Sequence, residues 1–264
     1  MQTMSVSKKI TTAERRHRDY LRRRTLRVAS VYEARLEKLR RAELRRVLAM
    51  AKDYSDPIAI VPLLENQLNE SEYLGKWWIG LWTTVGVPMA KTTARDLRAA
   101  KAAEEEDVWL GQLRRYATTR AGNEIVVVSR TWKDSLVSLV RAYLQEDLTI
   151  GIEKLTKKVY QGYLATLEKW QCRRIAQTES MIGMADASAM AADTLGIHFT
   201  KEWCISGLGN TRASHELMDG VTVDENEPFV LPGGMLMYPH DTSMNADASE
   251  IINCACDCIR RPKR

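Results

Sequence analysis

The chain has 264 residues, 45% of them hydrophobic, which is enough for one large or two modest domains with a sizeable core. No apolar run approaches the ~20 residues that a membrane-spanning helix needs, and the first residues lack the apolar stretch expected of a secretory signal. The five cysteines are odd in number and three crowd together near the C-terminal end, which excludes a disulfide framework and favours a reducing cytosol.

Positive charge is concentrated in the first fifty residues. The whole chain has a net charge of +5, but residues 1–50 hold 15 Lys and Arg against 5 Asp and Glu, and the remaining residues carry a net charge of −5. From Thr12 to about Lys52 there is no Pro or Gly, and apolar residues recur every three to five positions, which predicts one long amphipathic helix. Its basic surface either binds an anionic partner, with nucleic acid first in line, or is a solvated helix face. The residues predicted to make the contact are Arg15, Arg16, Arg18, Arg22, Arg23, Arg24 and Arg27.

Three tryptophans, Trp77, Trp78 and Trp82, cluster in the next apolar segment. Such a cluster either fills a core or forms a docking surface, because tryptophan is enriched among interface anchors. The polar and charged stretch 101–125 that follows is expected to be a connection that is helical only in part.

Helical periodicity returns over residues 131–195 and predicts three helices. The first has Thr131 as its N-cap, and the third runs from about residue 165 to 195. The second is marked by Ile152, Leu155 and Val159 and ends near Gly162. Gly196 follows at once and predicts a glycine C-cap.

The pattern then changes to strand-like alternation at residues 197–205, followed by glycines and short apolar segments. We therefore predict an α+β protein in which a mainly helical N-terminal part precedes a small α+β C-terminal domain. The predicted segments are 1–52, a basic amphipathic helix; 53–163, a helical domain; and 164–264, the α+β domain.

The stretch TRASHELMDG, residues 211–220, is the main candidate for chemistry. His215 and Asp219 are four residues apart, so they would share one helix face, and an aspartate can fix the tautomer of a histidine. His215 with Cys254 and Cys256 could supply three zinc ligands, although Cys-x-Cys is tighter than the usual spacing. The fourth ligand would be one of Cys258, Cys204 and His240.

Two other interpretations of the same residues stay open. A cysteine near His215 could be a nucleophile if its thiolate were activated in an accessible pocket. Alternatively, His215, Arg212, Asp219 and Asn253 form a buried polar network that pins strands to a helix, and the cysteines fill core space.

Four motifs follow one another near the C-terminal end: RRIAQTES, KEWCISGLGNTRASHELMDGVTV, PFVLPGGMLMYPHD and EIINCACDC. In this order they resemble the phage Mu F-like head morphogenesis domain over residues 173–258. This chain departs from the family pattern at three places. It has Leu208-Gly209-Asn210 where the family has an acid, and Pro239-His240-Asp241 where the family has a Pro-Gly-Asp turn. It also has Ala255 where the family has a basic residue between the cysteines. The positions that carry the resemblance are Thr178, Glu179, Trp203, Thr211, Arg212, His215, Asp219, Gly220, Asp241, Asn253, Cys254 and Cys256.

The resemblance implies a minor capsid protein of a tailed phage or prophage, located inside the phage head near the portal after assembly in the bacterial cytoplasm. Such a protein would support procapsid assembly and DNA packaging or ejection. Its partners would be the portal protein, the major capsid or scaffold protein and packaged double-stranded DNA, without a membrane. The matched residues would then be structural, with no catalysis and no cofactor.

Two rival functions belong to other classes. One is a zinc- or thiol-dependent hydrolase that uses His215 with Cys254 and Cys256. The other is a nucleic-acid-binding protein without a role in a virion, which the basic helix alone would explain.

Overall fold

A computed structural model describes residues 10–69, 71–97, 106–206 and 211–263. The Leu208-Gly209-Asn210 departure from the family pattern therefore lies outside the described residues. Among the residues described, no helix combines the length and the apolar character that a membrane span requires.

The chain is mainly helical, with short strands confined to the C-terminal region, which confirms the predicted fold class. The helices are α1 (Thr12–Met50), α2 (Ile60–Gln67), α3 (Ser71–Asp96), α4 (Glu106–Glu146), α5 (Ile152–Gly162), α6 (Glu168–Leu195), α7 (Ala213–Glu216) and α8 (Ala248–Ile251). The strands are β1 (Phe199–Cys204), β2 (Thr222–Asp224), β3 (Phe229–Leu231), β4 (Gly234–Leu236) and β5 (Asp257–Pro262).

The chain forms two compact units, each drawn from separate stretches of sequence. Unit 1 comprises Met1–Ser30, Gly80–Tyr116 and Ala176–Arg264, and unit 2 comprises Val31–Ile79 and Ala117–Ile175. The predicted segments 1–52, 53–163 and 164–264 are consecutive, and that division stays a prediction.

The long basic helix is confirmed as α1, but its buried stripe differs from the predicted one. Val31, one of the regularly spaced apolar residues on which the helix prediction depends, is 53% exposed. Arg18, Arg22 and Arg40 are buried instead, so arginine does not simply cover the outer surface. A long aliphatic stem and a paired head allow an arginine to occupy an interior position that apolar counting assigns to other residues.

The core of unit 2 is built around Trp132 and Tyr163. Their rings contact each other with centroids 6.0 Å apart, and a cluster of fully buried aliphatic side chains surrounds them. Trp77, in the same unit, is buried and donates from Nε1 to the carbonyl of Tyr32 at 2.8 Å. Trp78 and Trp82 are completely buried, so the core interpretation of the tryptophans is confirmed and the docking-surface interpretation is wrong.

The predicted helix start at Thr131 is wrong. α4 runs without interruption from Glu106, and Thr131 lies inside it, donating its hydroxyl to the carbonyl of Val127 at 3.0 Å. The connection predicted for residues 101–125 is helical from Glu106 onward, because Trp109, Leu113 and further residues at four-residue steps are buried. Because the residues between these positions are polar or charged, the narrow apolar stripe does not stand out in the sequence.

The other helix ends in this region follow the sequence signals. α5 spans Ile152–Gly162, so its predicted end near Gly162 is confirmed. Gly196 ends α6 with a φ of 61°, a conformation that glycine adopts at low cost. A π-helical turn at Tyr163–Leu167 precedes α6.

The predicted strand at residues 197–205 is confirmed as β1, the centre of an antiparallel sheet with the order β2-β1-β5. Trp203 on β1 is in register with Cys258 on β5, and Lys201 with Val223 on β2. β3 and β4 form a separate hairpin. This sheet and hairpin, both in unit 1, support the side chains of the candidate site.

Candidate metal centre

Three candidate metal ligands converge in the interior of unit 1. The ligand atoms of His215, Cys254 and Cys256 all lie within 4.8 Å of one another. Nδ1 of His215 is 3.5 Å from Sγ of Cys254 and 3.4 Å from Sγ of Cys256. All three side chains are buried, and His215 has no exposed surface. We call this group the His215 cluster.

A short helix and a reversed turn bring the His215 cluster together. His215 lies on α7, and the two cysteines lie between α8 and β5. Asn253 has a φ of 57°, a left-handed conformation that asparagine tolerates better than most residues. The chain reverses there, and the amide of Cys254 donates to the carbonyl of Ile251 at 3.2 Å. This turn places both thiols beside the imidazole.

A carboxylate that the sequence analysis missed holds the other ring nitrogen of His215. Nε2 lies 2.8 Å from Oε2 of Glu250, a residue of α8 that is almost fully buried. Because an ionised carboxylate only accepts hydrogen bonds, Nε2 carries the proton and Nδ1 keeps a lone pair for the thiols or a metal. Glu250 lies four residues before Cys254, a spacing that matches no metal motif, so sequence alone offered no signal for it.

The Glu250 carboxylate is itself held in place by two further donors. The hydroxyl of Ser214 donates to Oε2 at 3.3 Å, and the amide of Gly233 donates to Oε1 at 3.2 Å. A Cβ at position 233 would lie 2.7 Å from Cγ of Glu250, so only glycine leaves room for this side chain. The β3–β4 turn thus positions the carboxylate of Glu250, and that carboxylate in turn orients the imidazole of His215.

Trp203 of β1 forms an aromatic wall of the His215 cluster. Its ring contacts the imidazole of His215 edge to face with centroids 5.2 Å apart, and contacts Phe229 at the same separation. Trp203 is completely buried. The tryptophan of the KEWCISG motif therefore packs directly against the histidine.

The two thiols of the cluster differ in acidity. A hydrogen bond from the Cys256 thiol holds the pKa of Cys254 below its ordinary value and outweighs the effect of burial, and the amide of Cys256 adds a second donor at 3.3 Å. The same thiol–thiol hydrogen bond, together with burial, raises the pKa of Cys256. Burial lowers the pKa of His215, but its hydrogen bonds with Cys256 and Glu250 prevail and raise it. Of the two thiols, that of Cys254 is therefore the more acidic.

The two nitrogen–sulfur separations of the cluster suit a tetrahedral zinc ion. Zinc bonds of about 2.3 Å to sulfur and about 2.0–2.1 Å to nitrogen place those two ligand atoms about 3.5 Å apart across a tetrahedral edge. The two measured separations from Nδ1 are 3.5 and 3.4 Å. The thiol hydrolase hypothesis fits less well, because a nucleophilic cysteine must reach a substrate and both thiols are buried.

None of the predicted fourth ligands joins the His215 cluster. Nε2 of His240 lies 3.2 Å from the carbonyl oxygen of Cys256, and Sγ of Cys204 contacts the carbonyl of Ile205 at 3.6 Å. Cys258 is buried on β5. In the stretches that the structure describes, the group that could hold a metal contains only the three members.

The predicted pairing of Asp219 with His215 is wrong. Oδ1 of Asp219 accepts from the amide of Ile205 at 3.0 Å, and Oδ2 lies 3.2 Å from the guanidinium of Arg15. The four-residue helical spacing does not apply, because α7 ends at Glu216 and Asp219 belongs to the turn that follows. Gly220 completes this turn with a φ of 81°.

The predicted buried polar network is also wrong in part. Asn253 is exposed and serves through its backbone, donating its amide to Oγ1 of Thr178 at 3.3 Å. Arg212 is half-buried and donates to the carbonyl of Ile252. Asn253, Arg212 and Asp219 each bind a different segment of the chain. Of the four predicted network residues, only His215 lies in the cluster.

The remaining motif residues are structural or peripheral in their contacts. Asp241 is buried and accepts from the amides of Met237 and Ser243, both at 2.8 Å. Glu179 is buried on α6, and Thr211 is half-buried directly before Arg212.

The seven arginines predicted to bind an anion divide into two sets. Arg18 is buried and pairs with Asp257 at 3.2 Å and with Asp96, and Arg22 is buried against Asp19 at 2.8 Å. The prediction that Arg18 and Arg22 bind an anionic partner is therefore wrong, because both form interior ion pairs. Arg15 is partly engaged by Asp219. The four exposed ones are Arg16, Arg23, Arg24 and Arg27.

Comparisons with known proteins give one relevant similarity. The chain is 34% identical over 92 residues to a protein of Enterococcus faecalis named NAD(+)--arginine ADP-ribosyltransferase EFV. The matched region covers 34% of this chain and 18% of that relative, so the chain spans a small part of the relative's length. No protein-family model and no solved structure matches the chain.

This similarity corrects the function inferred from the sequence motifs. A minor capsid or head morphogenesis role is contradicted, because the matched relative carries the name of an enzyme and not of a structural head protein. The resemblance to the Mu F-like family itself stays a prediction. The expectation that the protein is not an enzyme is weakened, and an enzymatic function enters as a candidate.

Proposed function

We propose that unit 1 is a zinc-binding module and that the ion is held by Nδ1 of His215 and the thiolates of Cys254 and Cys256. The observation that carries the proposal is the convergence of these three ligand atoms within 4.8 Å in the interior. Imidazole nitrogen and thiolate sulfur form the donor set that zinc prefers.

The Glu250 contact is independent support for a metal. Ligating histidines usually donate their second ring N–H to a carboxylate, which fixes the tautomer and strengthens the ligand. Glu250 makes this contact at 2.8 Å, on the nitrogen that faces away from the thiols. A histidine that merely filled core space would not need its Nδ1 directed at two sulfurs.

Burial indicates a structural task for the ion. Catalytic zinc keeps a position open to substrate, whereas structural zinc is enclosed. The three ligand side chains are 0–5% exposed, so the ion would link the α7 turn to the segment before β5. The fourth position would be filled by water or a backbone oxygen in a site too closed for turnover.

Metal analysis of the purified chain tests the proposal. We expect one zinc per chain in the wild type, and loss of that zinc in Cys254→Ser and Cys256→Ser, because each change removes a thiolate ligand. Cys172→Ser is the matched control, since Cys172 is equally buried but lies in unit 2. A folded wild-type chain that binds no zinc after incubation with the ion would overturn the proposal.

Cobalt substitution gives a second readout. Co²⁺ bound by two thiolates and an imidazole in tetrahedral geometry gives intense visible bands and a sulfur-to-metal charge-transfer band. We expect both in the wild type and neither in His215→Asn. Weak octahedral bands without charge transfer would show that the cysteines do not bind.

The comparison favours a second candidate function, the transfer of ADP-ribose to arginine. The matched relative is named for this activity, and the match extends over 92 residues. In that reaction the bond from ADP-ribose to nicotinamide breaks, a bond to a guanidinium nitrogen forms, and nicotinamide and a proton leave. Incubation of the full chain with NAD⁺ and agmatine tests it, with nicotinamide release measured against a no-acceptor control. A rate no higher than that of heat-denatured protein would exclude the transfer.

A further inference from the structure

A second surface, distant in sequence from the His215 cluster and separate from the proposed zinc site, carries Arg16, Arg23, Arg24 and Arg27. We call these four residues the arginine face. All four lie on α1 within unit 1, and all are exposed. Together with Asp19 and Tyr20 they line a shallow groove of about 410 Å³.

The arginine face carries unbalanced positive charge. Three neighbouring arginines are paired internally: Arg15 with Asp219, Arg18 with Asp257, and Arg22 with Asp19. Asp19, the carboxylate that lines the groove, is thus already engaged by Arg22. Among the residues that the structure describes, no carboxylate pairs with any of the four arginines of the face.

Three of the four arginines form a row along the helix, and Arg24 lies beside it. Positions 16, 23 and 27 are separated by seven and four residues, close to whole helical turns, and span about 16 Å of helix axis at 1.5 Å per residue. The opposite side of the same helix segment is anchored in the core of unit 1, where Leu21 packs with Met89, Met181 and Met184. The helix backbone that carries the row is therefore fixed before any partner binds.

We propose that the arginine face binds the phosphate backbone of double-stranded DNA without sequence preference. Guanidinium groups bind phosphate oxygens in pairs of hydrogen bonds, and a row of cations on one helix suits a duplex with one charge per about 1.7 Å of axis. The charge on this surface is complementary to that partner along its whole length.

Other anionic partners fit the arginine face less well. A helix that lies on a membrane needs a broad apolar face beside its cations, and among the described residues 10–31 the exposed large apolar side chains are only Tyr20 and Val31. Single-stranded nucleic acid favours stacking platforms, and one side of the Tyr20 ring is occupied by His17 at a centroid distance of 6.4 Å. Binding to duplex DNA requires neither an apolar helix face nor free aromatic rings.

Fluorescence anisotropy with a labelled duplex of mixed sequence tests the proposal on the full chain. Four phosphate contacts predict a slope of about −3.6 for the logarithm of the binding constant against the logarithm of salt concentration. Affinity would then fall about a hundredfold between roughly 50 and 200 mM salt. We expect the fourfold variant with Arg16, Arg23, Arg24 and Arg27 replaced by Ala to lose most binding and most of this slope.

A matched variant separates the arginine face from net charge. Lys76, Arg130, Arg141 and Lys157 are exposed and lie in unit 2, so their replacement by Ala removes the same four charges elsewhere. Alanine favours helix, so circular dichroism should show both variants folded. The proposal is supported if only the arginine-face variant loses binding. It is overturned if both variants weaken equally, if the wild type does not bind the duplex, or if it binds anionic vesicles or a single strand more tightly.

Discussion

Oε2 of Glu250 lies 2.8 Å from Nε2 of His215, on the side of the imidazole opposite the two thiols. This contact gives the histidine a defined tautomer and directs Nδ1 at Cys254 and Cys256. It relates residues 35 positions apart, on α7 and α8, that no sequence motif links.

Replacing Glu250 by Gln should weaken zinc binding while leaving all three ligands in place. Loss of a carboxylate that orients a ligating histidine typically lowers metal affinity 10–100-fold. Competition against a chromophoric chelator measures the change. Glu216→Gln is the control, because Glu216 lies on the same helix as His215 but is exposed. Equal affinities for the two variants would mean that Glu250 has no role in metal binding.

Removing zinc should lower the thermal stability of unit 1. A ligand at about 100 times its dissociation constant adds ~2.7 kcal/mol to the free energy of unfolding, which corresponds to roughly 5–10 °C in Tm for a unit of this size. Thermal scans with and without a chelator, monitored by circular dichroism, measure the shift. Cys254→Ser should show no chelator effect, and a chelator effect of wild-type size in that variant would contradict the assignment.

Gly233→Ala should destabilise the fold, because its Cβ would meet Glu250 Cγ at 2.7 Å. Crowding of this kind typically costs ~1–3 kcal/mol of unfolding free energy. Gly111→Ala is the contrasting change, since nothing lies within 4 Å of a Cβ there and alanine favours the helix by ~1 kcal/mol. Urea denaturation should therefore move the two midpoints in opposite directions.

Arg18→Ala should be strongly destabilising, in contrast to Arg16→Ala. Arg18 is buried, and its loss removes the ion-pair partner of the interior carboxylate of Asp257, which is 2% exposed. Removal of one partner of a buried ion pair typically costs ~3–5 kcal/mol. Arg16 is exposed and unpaired in the described part of the chain, so its replacement should change stability by no more than ~0.5 kcal/mol. Chemical denaturation of both variants measures the difference, and similar losses would show that Arg18 is not an interior ion pair in solution.

The Glu14–Arg261 contact should make stability depend on acid pH. The side-chain hydrogen bond from Arg261, at 2.6 Å, lowers the pKa of Glu14 from 4.5 to about 2 in the folded chain. A carboxyl group with a depressed folded pKa contributes stability above about pH 4.5, and that contribution is lost as pH falls towards 2. Because Glu14 is 38% exposed, solvent screening keeps the effect under ~1 kcal/mol.

Metal-free wild type and Glu14→Gln, unfolded in urea at pH 6 and pH 3, measure this contribution. The wild type should lose more stability than the variant between the two pH values. Identical losses would show that the ion pair adds nothing.

Much of the secondary structure could be predicted from local periodicity in the sequence. The basic helix α1, the helix α5, the C-cap at Gly196 and the strand β1 were all predicted, because each depends on neighbours a few positions away. The grouping of His215 with Cys254 and Cys256 was one of several interpretations. Residue chemistry suggested it, but spacing could not choose it.

Tertiary packing decided the rest. α4 is continuous because residues far apart in sequence cover its narrow apolar stripe, and Arg18 is interior because Asp257, 239 positions away, pairs with it. Glu250 and not Asp219 meets His215, because the turn after α7 and the β3–β4 hairpin set which carboxylate comes near. The sequence by itself determined which residues could bind a proton, a metal or a phosphate. Only the folded chain decided which of them meet, since side chains distant in sequence become neighbours through long-range packing that local patterns do not encode.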